Sequence, residues 1–202
     1  MKMEEVSAII LAGGRSSRMG TDKAKLKQGD QTLLELMAEK LRRLGISEIV
    51  VSGCPDCPEG TSYVPDLIPD KGPLSGIHAG LRQIRHRSAL VLPVDMPLIQ
   101  EETLRLLVQA HVNTGDGSLC SPITALTLNG DLEPLIAVYD AFLAEDCERI
   151  LREEKHSPRR LFEKYGFTSV AFTGDPVSLM NCNTPEEYEL VLKAAHGRLL
   201  SF

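Results

Sequence analysis

The sequence predicts a three-layer α/β fold whose mostly parallel sheet becomes mixed towards the C-terminus. Short apolar runs alternate with segments of helical periodicity, and a glycine-rich loop directly follows the first apolar run, at residues 6–10. Alternation of this kind is typical of parallel sheets covered by helices on both faces. With 202 residues, of which 43% are hydrophobic, the chain can fill one substantial core. We therefore expect a single domain over residues 1–202.

The first half of the chain predicts strands joined by helices. Residues 6–10 are typical of a buried strand, and the apolar positions in residues 33–44 recur at helical spacing up to Gly45. Residues 48–52 and 61–65 have the composition of a second and a third strand. Strands linked through helices at such short intervals run parallel, with right-handed crossovers.

The centre of the chain predicts a helix followed by the most buried strand. Pro73 opens a helix that runs to Ile84, and its small residues allow close packing. Residues 89–92 are wholly apolar, as in the middle strand of a parallel sheet, and they lead to Asp95. Because α/β sheets bind ligands at the carboxyl ends of their strands, we expect Asp95 at the same edge as the glycine-rich loop.

The second half predicts antiparallel pairing beside further helices. A helix over residues 101–112 precedes two strands, and a hairpin-like turn at residues 129–131 separates them. The predicted elements are strands at 118–128, 135–139 and 168–172, helices at 142–153 and 158–165, and a terminal helix that starts in a capping box at 184–187. The sheet is therefore expected to become mixed in this half.

Composition excludes several classes of partner and location. The net charge of −6, from 28 acidic and 22 basic residues, argues against binding to nucleic acid or anionic membranes. No segment reaches the roughly 18 apolar residues of a membrane helix, and no secretory start is present, so a cytoplasmic protein is expected. The five cysteines are irregularly spaced, and Cys54 and Cys57 lack a second metal-ligand pair, which indicates ordinary loop thiols.

The loop at residues 11–23, LAGGRSSRMGTDK, has the composition of a polyphosphate site. Gly13 and Gly14 let the backbone turn sharply and approach an anion. Three cations follow in the same loop: Arg15, Arg18 and Lys23. The glycine spacing fits neither a P-loop nor the dinucleotide fingerprint. A surface turn with scattered charge is the alternative, and for Arg15 a solvated role is equally compatible with the sequence.

This loop closely resembles the opening motif of the molybdenum cofactor guanylyltransferases. Later segments resemble further motifs of that family, in order, over nearly the whole chain: Asp66, residues 72–76, 93–97, 133–135 and 181–187. The resemblance implies a three-layer, Rossmann-like nucleotidyltransferase fold. It also implies transfer of GMP from GTP to Mo-molybdopterin with Mg²⁺, release of pyrophosphate, and transient contact with other molybdenum cofactor proteins.

Nucleotidyl transfer requires aligned phosphates and neutralised charge more than covalent chemistry. We assign Asp95 to Mg²⁺, because a dication bound to phosphates needs only one or two protein carboxylates. Arg18 and Lys23 are assigned to the phosphates, Arg as a fork and Lys as a point charge. These three residues are the predicted catalytic set, and a turn aspartate is the alternative for Asp95.

Further residues are predicted to bind the nucleotide or its metal. The resemblance gives Asp66 a role in holding the nucleotide, against the alternative of a turn aspartate, while Ser52 stands where the family can present asparagine. Asn181 and Asn183 point the same way if the segment is extended, and one of them is also explained by the start of the helix. The predicted binding set is Leu11, Ala12, Gly13, Gly14, Lys23, Ser52, Asp66, Asp95, Asn181 and Asn183. The resemblance places the pterin near Glu133, Arg159 and Arg160.

Three other functions stay open from the sequence. CMP transfer to the same pterin and nucleotide transfer to a sugar phosphate use related loops. A non-catalytic guanine-nucleotide-binding module belongs to a different class, and it would not need Asp95, Lys23 and the paired asparagines together. Pyrophosphate release with each nucleotide and the pterin acceptor separates these alternatives.

Overall fold

The fold is a seven-stranded sheet between two layers of helices. The structure, a computed structural model, describes residues 3–13, 23–113 and 121–199. Its strands are β1 Ser7–Leu11, β2 Lys27–Gln28, β3 Gln31–Thr32, β4 Ile49–Ser52, β5 Ser62–Val64, β6 Ser88–Pro93, β7 Ile123–Leu128, β8 Asp131–Asp140 and β9 Thr168–Ala171. Its helices are α1 Leu33–Arg43, α2 Pro73–Gln83, α3 Glu101–Asn113, α4 Ala144–Leu151, α5 Arg159–Tyr165 and α6 Pro185–Leu199.

The sheet is parallel in one half and mixed in the other. Its order is β5-β4-β1-β6-β8-β7-β9, and β2 pairs with β3 in a separate hairpin. Strands β5, β4, β1 and β6 are parallel, whereas β8 is antiparallel to both β6 and β7, and β9 is parallel to β7. The predicted α/β class, with a mostly parallel sheet that becomes mixed after β6, is confirmed.

Two hydrophobic cores lie on opposite faces of the sheet. All five residues of β1 are buried. Ile9 and Ile10 are adjacent in this strand but belong to different cores, because successive strand residues point to opposite faces of the sheet. One core contains Leu34 of α1 and Leu104 of α3, and the other contains Ile77 of α2. Burial of side chains on both faces places β1 in the interior of the sheet, between β4 and β6.

Helix α1 begins in a capping box that the sequence analysis overlooked. The Oγ1 atom of Thr32 accepts a hydrogen bond from the Glu35 N–H (3.1 Å), and the Glu35 carboxylate accepts one from the Thr32 N–H (2.7 Å). Thr32 is brought there by the β2–β3 hairpin, which is too short to produce a periodic signal in the sequence. The hairpin follows a 3-10 turn at Lys23–Lys25, whose Ala24 is buried in the core.

The bounds of two later elements differ from the sequence prediction. Strand β8 begins at Asp131 rather than at Leu135, because Pro134 interrupts the strand pattern without ending the strand. The predicted helix at 142–153 is a 3-10 turn, Ala141–Leu143, followed directly by α4. The turn at Asn129 and Gly130 is confirmed, since both residues have positive φ, as a tight hairpin turn requires.

Helix α2 packs unusually close to the sheet. A Cβ atom added to Gly80 would lie 2.6 Å from Ile9 Cδ1, so only glycine permits the observed approach. Gly80, one of the small residues predicted to allow close packing, therefore faces β1. Within the described residues, none of the helices is both long and apolar enough to cross a membrane.

His78 on α2 is a buried group that should make folding sensitive to pH. Its side chain has no hydrogen-bond partner, and burial lowers its pKa, although Glu148 opposes the shift. The unfolded chain therefore binds a proton at higher pH than the native one, so stability is lost as pH falls below about 6.5. We expect urea unfolding of His78→Leu to show a smaller loss of stability between pH 8 and pH 5.5 than the wild type. His196→Leu, at an exposed position on α6, is the control, and equal slopes for all three proteins would contradict the prediction.

Candidate active site

The ends of three parallel strands form one continuous row. Leu11 of β1 lies opposite Ser52 of β4 on one side and Pro93 of β6 on the other. Pairing continues beyond the strands, because the Ala12 N–H donates to the Ser52 carbonyl (2.8 Å) and the Val94 N–H donates to the Leu11 carbonyl (3.1 Å). The residues that follow each strand are thereby held at the same edge of the sheet.

The loops after β1 and β4 touch through their backbones. Gly53 has φ +88°, and a Cβ atom on it would lie 2.2 Å from the Cα and N atoms of Gly13. A Cβ atom on Gly13 would in turn lie 3.0 Å from Gly53 Cα. No side chain fits at Gly53 in this arrangement, which brings the glycine-rich loop against the end of β4.

A second close contact holds the side chain of Asp66. Ser52 is buried, and its hydroxyl donates to Asp66 Oδ1 at 2.9 Å. The hydroxyl lies directly over Gly76 of α2, where an added Cβ atom would approach it to 2.7 Å. Gly76 therefore leaves the space in which Ser52 orients the Asp66 carboxylate.

Lys23, Asp95 and Asn183 meet although they are far apart in sequence. The Lys23 Nζ donates to Asp95 Oδ2 at 2.8 Å and to Asn183 Oδ1 at 2.5 Å. The side chains of Lys23 and Asp95 are only 21% and 18% exposed. A carboxylate oxygen and an amide oxygen thus surround one cationic group at the carboxyl edge of the sheet.

The segment before α6 is fixed to the loop of Asp95. The Cys182 N–H donates to the Asp95 carbonyl at 2.9 Å, and the Cys182 side chain is buried in the core between two asparagines. Burial, with the neighbouring Asp95 charge, raises the pKa of the Cys182 thiol to about 12, so it stays a protonated packing group. The predicted capping box is confirmed, because the Glu187 carboxylate accepts from the Asn183 N–H (2.7 Å) and the Thr184 N–H (3.2 Å).

The strand ends described above border one cleft of about 1070 Å³. The cleft brings together every predicted binding residue that the structure describes: Leu11, Ala12, Gly13, Lys23, Ser52, Asp66, Asp95, Asn181 and Asn183. Gly14, Arg15 and Arg18 lie outside the described residues. Arg159 and Arg160 do not line the cleft, and Arg160 instead pairs with Glu153 at 3.0 Å.

The sequence analysis named Glu133 through the family resemblance, but it did not predict the strand irregularity around it. Glu133, Pro134 and Leu135 line the cleft where β8 shifts its register against β7. Pro134 has no N–H to donate to the ladder, and such irregularities turn side chains towards neighbouring sites. Burial raises the pKa of Glu133, with Arg159 acting against the shift. The proline within a strand pattern was the signal for this feature.

The described part of the cleft carries more acidic than basic side chains. Among the described residues that line it, Lys23 is the only cationic side chain, against the carboxyl groups of Asp66, Asp70, Asp95 and Glu133. Arg18, which the sequence analysis assigns to the phosphates, lies outside the described residues. Within the described ranges no group of three His, Cys, Asp or Glu side chains suits a metal ion, but Asp95 and Asn183 offer the oxygens that a phosphate-bound dication prefers.

The fold and the cleft together define an α/β nucleotidyltransferase. A family model described as the MobA-like NTP transferase domain matches residues 8–169. The chain belongs to this MobA-like NTP transferase family.

Individual relatives agree with this membership. The chain is 34% identical to a probable molybdenum cofactor guanylyltransferase of Peptoclostridium acidaminophilum, over 90% of this chain and 86% of that protein. It is 35% identical to a molybdenum cofactor guanylyltransferase of Rhizobium meliloti, over 89% and 87% of the two chains. In fold it is similar to molybdopterin-guanine dinucleotide biosynthesis protein A from Archaeoglobus fulgidus, with a TM-score of 0.77 at 22% identity over 95% of this chain and 100% of that one.

The contact between Gly13 and Gly53 predicts that a methyl group added at Gly53 destabilises the protein more than one added at a glycine without such a contact. We expect Gly53→Ala to lower the free energy of unfolding by about 2–4 kcal/mol, because alanine there is both strained and forced into neighbouring backbone. Gly130→Ala is a matched control, since Gly130 has nearly the same φ, +89°, but open space around its Cβ position. Its cost should be about 1 kcal/mol, from strain alone. Urea unfolding measures both, and equal costs would refute the role of the contact.

Proposed function

We propose that this protein transfers GMP from GTP to the terminal phosphate of Mo-molybdopterin, with release of pyrophosphate. The observation that carries the proposal is the cleft in which Lys23, Asp95 and Asn183 meet at one place and the Ser52–Asp66 pair at another. The first group suits phosphates and their cation, and the second suits the nucleoside. Because both groups lie at the carboxyl edge of the sheet, one nucleotide extended along the strand ends can contact both of them.

Asp66 serves the guanine base or the ribose rather than the phosphates. Its carboxylate carries the same sign of charge as a phosphate, so it needs a ligand that donates hydrogen bonds. The N1–H and the 2-amino group of guanine are two adjacent donors, and a carboxylate accepts both. The Ser52 hydroxyl uses one acceptor site of Asp66 Oδ1, so Oδ2 and the second lone pair of Oδ1 can accept from this ligand.

The reaction forms a bond between an acceptor phosphate oxygen and the α-phosphorus of GTP. The bond from the α-phosphorus to the bridging oxygen of the β-phosphate breaks, and its electron pair leaves with pyrophosphate. Lys23 neutralises charge on the phosphates as the leaving group departs, and the backbone at Gly13 lets the phosphates approach closely. The protein thus contributes alignment and charge rather than a covalent intermediate.

Asp95 and Asn183 would hold Mg²⁺ against the phosphates. The fit rests on their oxygens, which already surround the ammonium of Lys23, and on the excess of acidic groups lining the cleft. When bound, Mg²⁺ neutralises the phosphate oxygens and orients them for displacement. Two protein ligands suffice, since Mg²⁺ bound to phosphates keeps several waters.

The acceptor occupies the wall formed by Glu133, Pro134 and Leu135. Apolar side chains there suit the flat face of a pterin, and a carboxyl group suits the amino and N–H donors on its edge. The wall lines the same cleft as Asp95, so both substrates reach one reaction centre.

The proposed function predicts pyrophosphate release that depends on both substrates. We expect release with GTP and purified Mo-molybdopterin in Mg²⁺ buffer, and at least about tenfold lower kcat/KM with CTP or ATP, because a site built for guanine donors leaves polar groups unpaired with other bases. A coupled pyrophosphate assay measures this. Equal activity with GTP and CTP would remove the guanine assignment, and release without the acceptor would indicate hydrolysis instead.

Asp95→Asn is the control for this assay, because it keeps the shape of the side chain but removes the charge that holds Mg²⁺. Its activity should fall by at least about 100-fold. Far-ultraviolet circular dichroism of the variant should match that of the wild type. Normal turnover of Asp95→Asn at low Mg²⁺ concentration would contradict the assignment of Asp95 to the metal.

The Ser52–Asp66 hydrogen bond predicts a change in base selection. Ser52→Ala frees the Asp66 carboxylate to rotate, so we expect KM for GTP to rise two- to tenfold, about 0.5–1.5 kcal/mol, with a smaller change in kcat. Preference for GTP over ITP, which lacks the 2-amino group, should fall as well. Ser169→Ala, which removes another hydrogen-bonded serine, on β9, is the control. An unchanged GTP to ITP ratio in Ser52→Ala would show that Ser52 does not act through Asp66.

A further inference from the structure

Lys23 occupies the position that a metal ion would take. Its ammonium lies 2.8 Å from Asp95 Oδ2 and 2.5 Å from Asn183 Oδ1. A Mg²⁺ ion bound by the same two oxygens would lie about 2.0–2.1 Å from each. The ion and the ammonium would therefore share nearly the same space, and their like charges would repel strongly at that distance.

The backbones that carry the two oxygens are held in place independently of Lys23. The backbone of Asp95 accepts a hydrogen bond from the Cys182 N–H, and the backbone of Asn183 donates to Glu187. Cys182 is buried in the core between them, which fixes the spacing of the two loops. Lysine, by contrast, carries its charge on a flexible four-carbon stem. The component of this cluster that moves at least cost is the lysine side chain.

We propose that Lys23 closes the metal site of the nucleotide-free protein, and that the triphosphate opens it. A triphosphate offers the ammonium several negatively charged oxygens, so Lys23 moves from Asp95 to the phosphates as the nucleotide binds. The oxygens of Asp95 and Asn183 then accept the dication that accompanies the nucleotide. Metal binding is consequently coupled to nucleotide binding. The inference rests on the proposed assignment of Asp95 to the metal, but on neither guanine nor the pterin.

Direct measurement of Mn²⁺ binding without nucleotide tests this inference. The paramagnetic resonance signal of free Mn²⁺ in solution gives the bound fraction, with no need for turnover. We expect weak binding by the wild-type protein and at least tenfold tighter binding of one Mn²⁺ by Lys23→Met, which removes the charge but keeps an unbranched side chain. Lys23→Arg should keep the site closed, because its charge remains.

Two further variants make the result specific. Asp95→Asn combined with Lys23→Met should lose the gain in Mn²⁺ affinity, because the carboxylate is gone. Lys193→Met removes an exposed lysine of α6 and should behave as the wild type. Circular dichroism and urea unfolding verify that each variant is folded.

Two results would overturn the inference. One is equal Mn²⁺ affinity of the wild type and Lys23→Met, and the other is no detectable Mn²⁺ binding by either protein at millimolar concentration. Failure of the guanylyl proposal has a different signature. In that case Lys23→Met still gains Mn²⁺ affinity while GTP and the pterin release no pyrophosphate.

Discussion

The backbone contact between Gly13 and Gly53 is the constraint on which the site depends. It joins the loop after β1 to the end of β4, and the hydrogen bonds from Ala12 to Ser52 and from Val94 to Leu11 extend the same row to β6. Parallel pairing alone would align the strand ends, but it would leave the loops beyond them free to separate. The glycine pair removes that freedom, so the residues that follow three strands act as one rigid edge.

Charge is the second constraint on the described part of the cleft. Four carboxyl groups among its described lining residues surround a single described cation, Lys23. The ion pair of Lys23 with Asp95 compensates part of this charge. Under the proposed function, a cation held by Asp95 and Asn183 adds positive charge where the phosphates lie beside these carboxyl groups.

The order of strands and helices was predictable from the sequence because hydrophobic periodicity is a local property. Convergence of Lys23, Asp95 and Asn183 was also predictable, since each follows or precedes an element whose end lies at the carboxyl edge. Gly53 was not identified, because its importance comes from a residue 40 positions away in sequence. The irregularity at Glu133 and the hairpin before Thr32 were missed because neither produces a periodic pattern. The roles assigned to the cleft residues remain predictions.

The pairing changes from parallel to antiparallel at β6, and the cleft is lined by residues from both parts of the sheet. The proposed nucleotide wall follows β1, β4 and β6 and adds Asn181 and Asn183 from the segment before α6, whereas the proposed acceptor wall comes from β8, which pairs with β6 and β7 in the sheet. Mutations in the segment that encodes β8 therefore alter the acceptor wall while the glycine pair and the strand row stay intact. Under the proposed function, the acceptor is therefore selected by a different stretch of the chain from the one that positions most of the nucleotide.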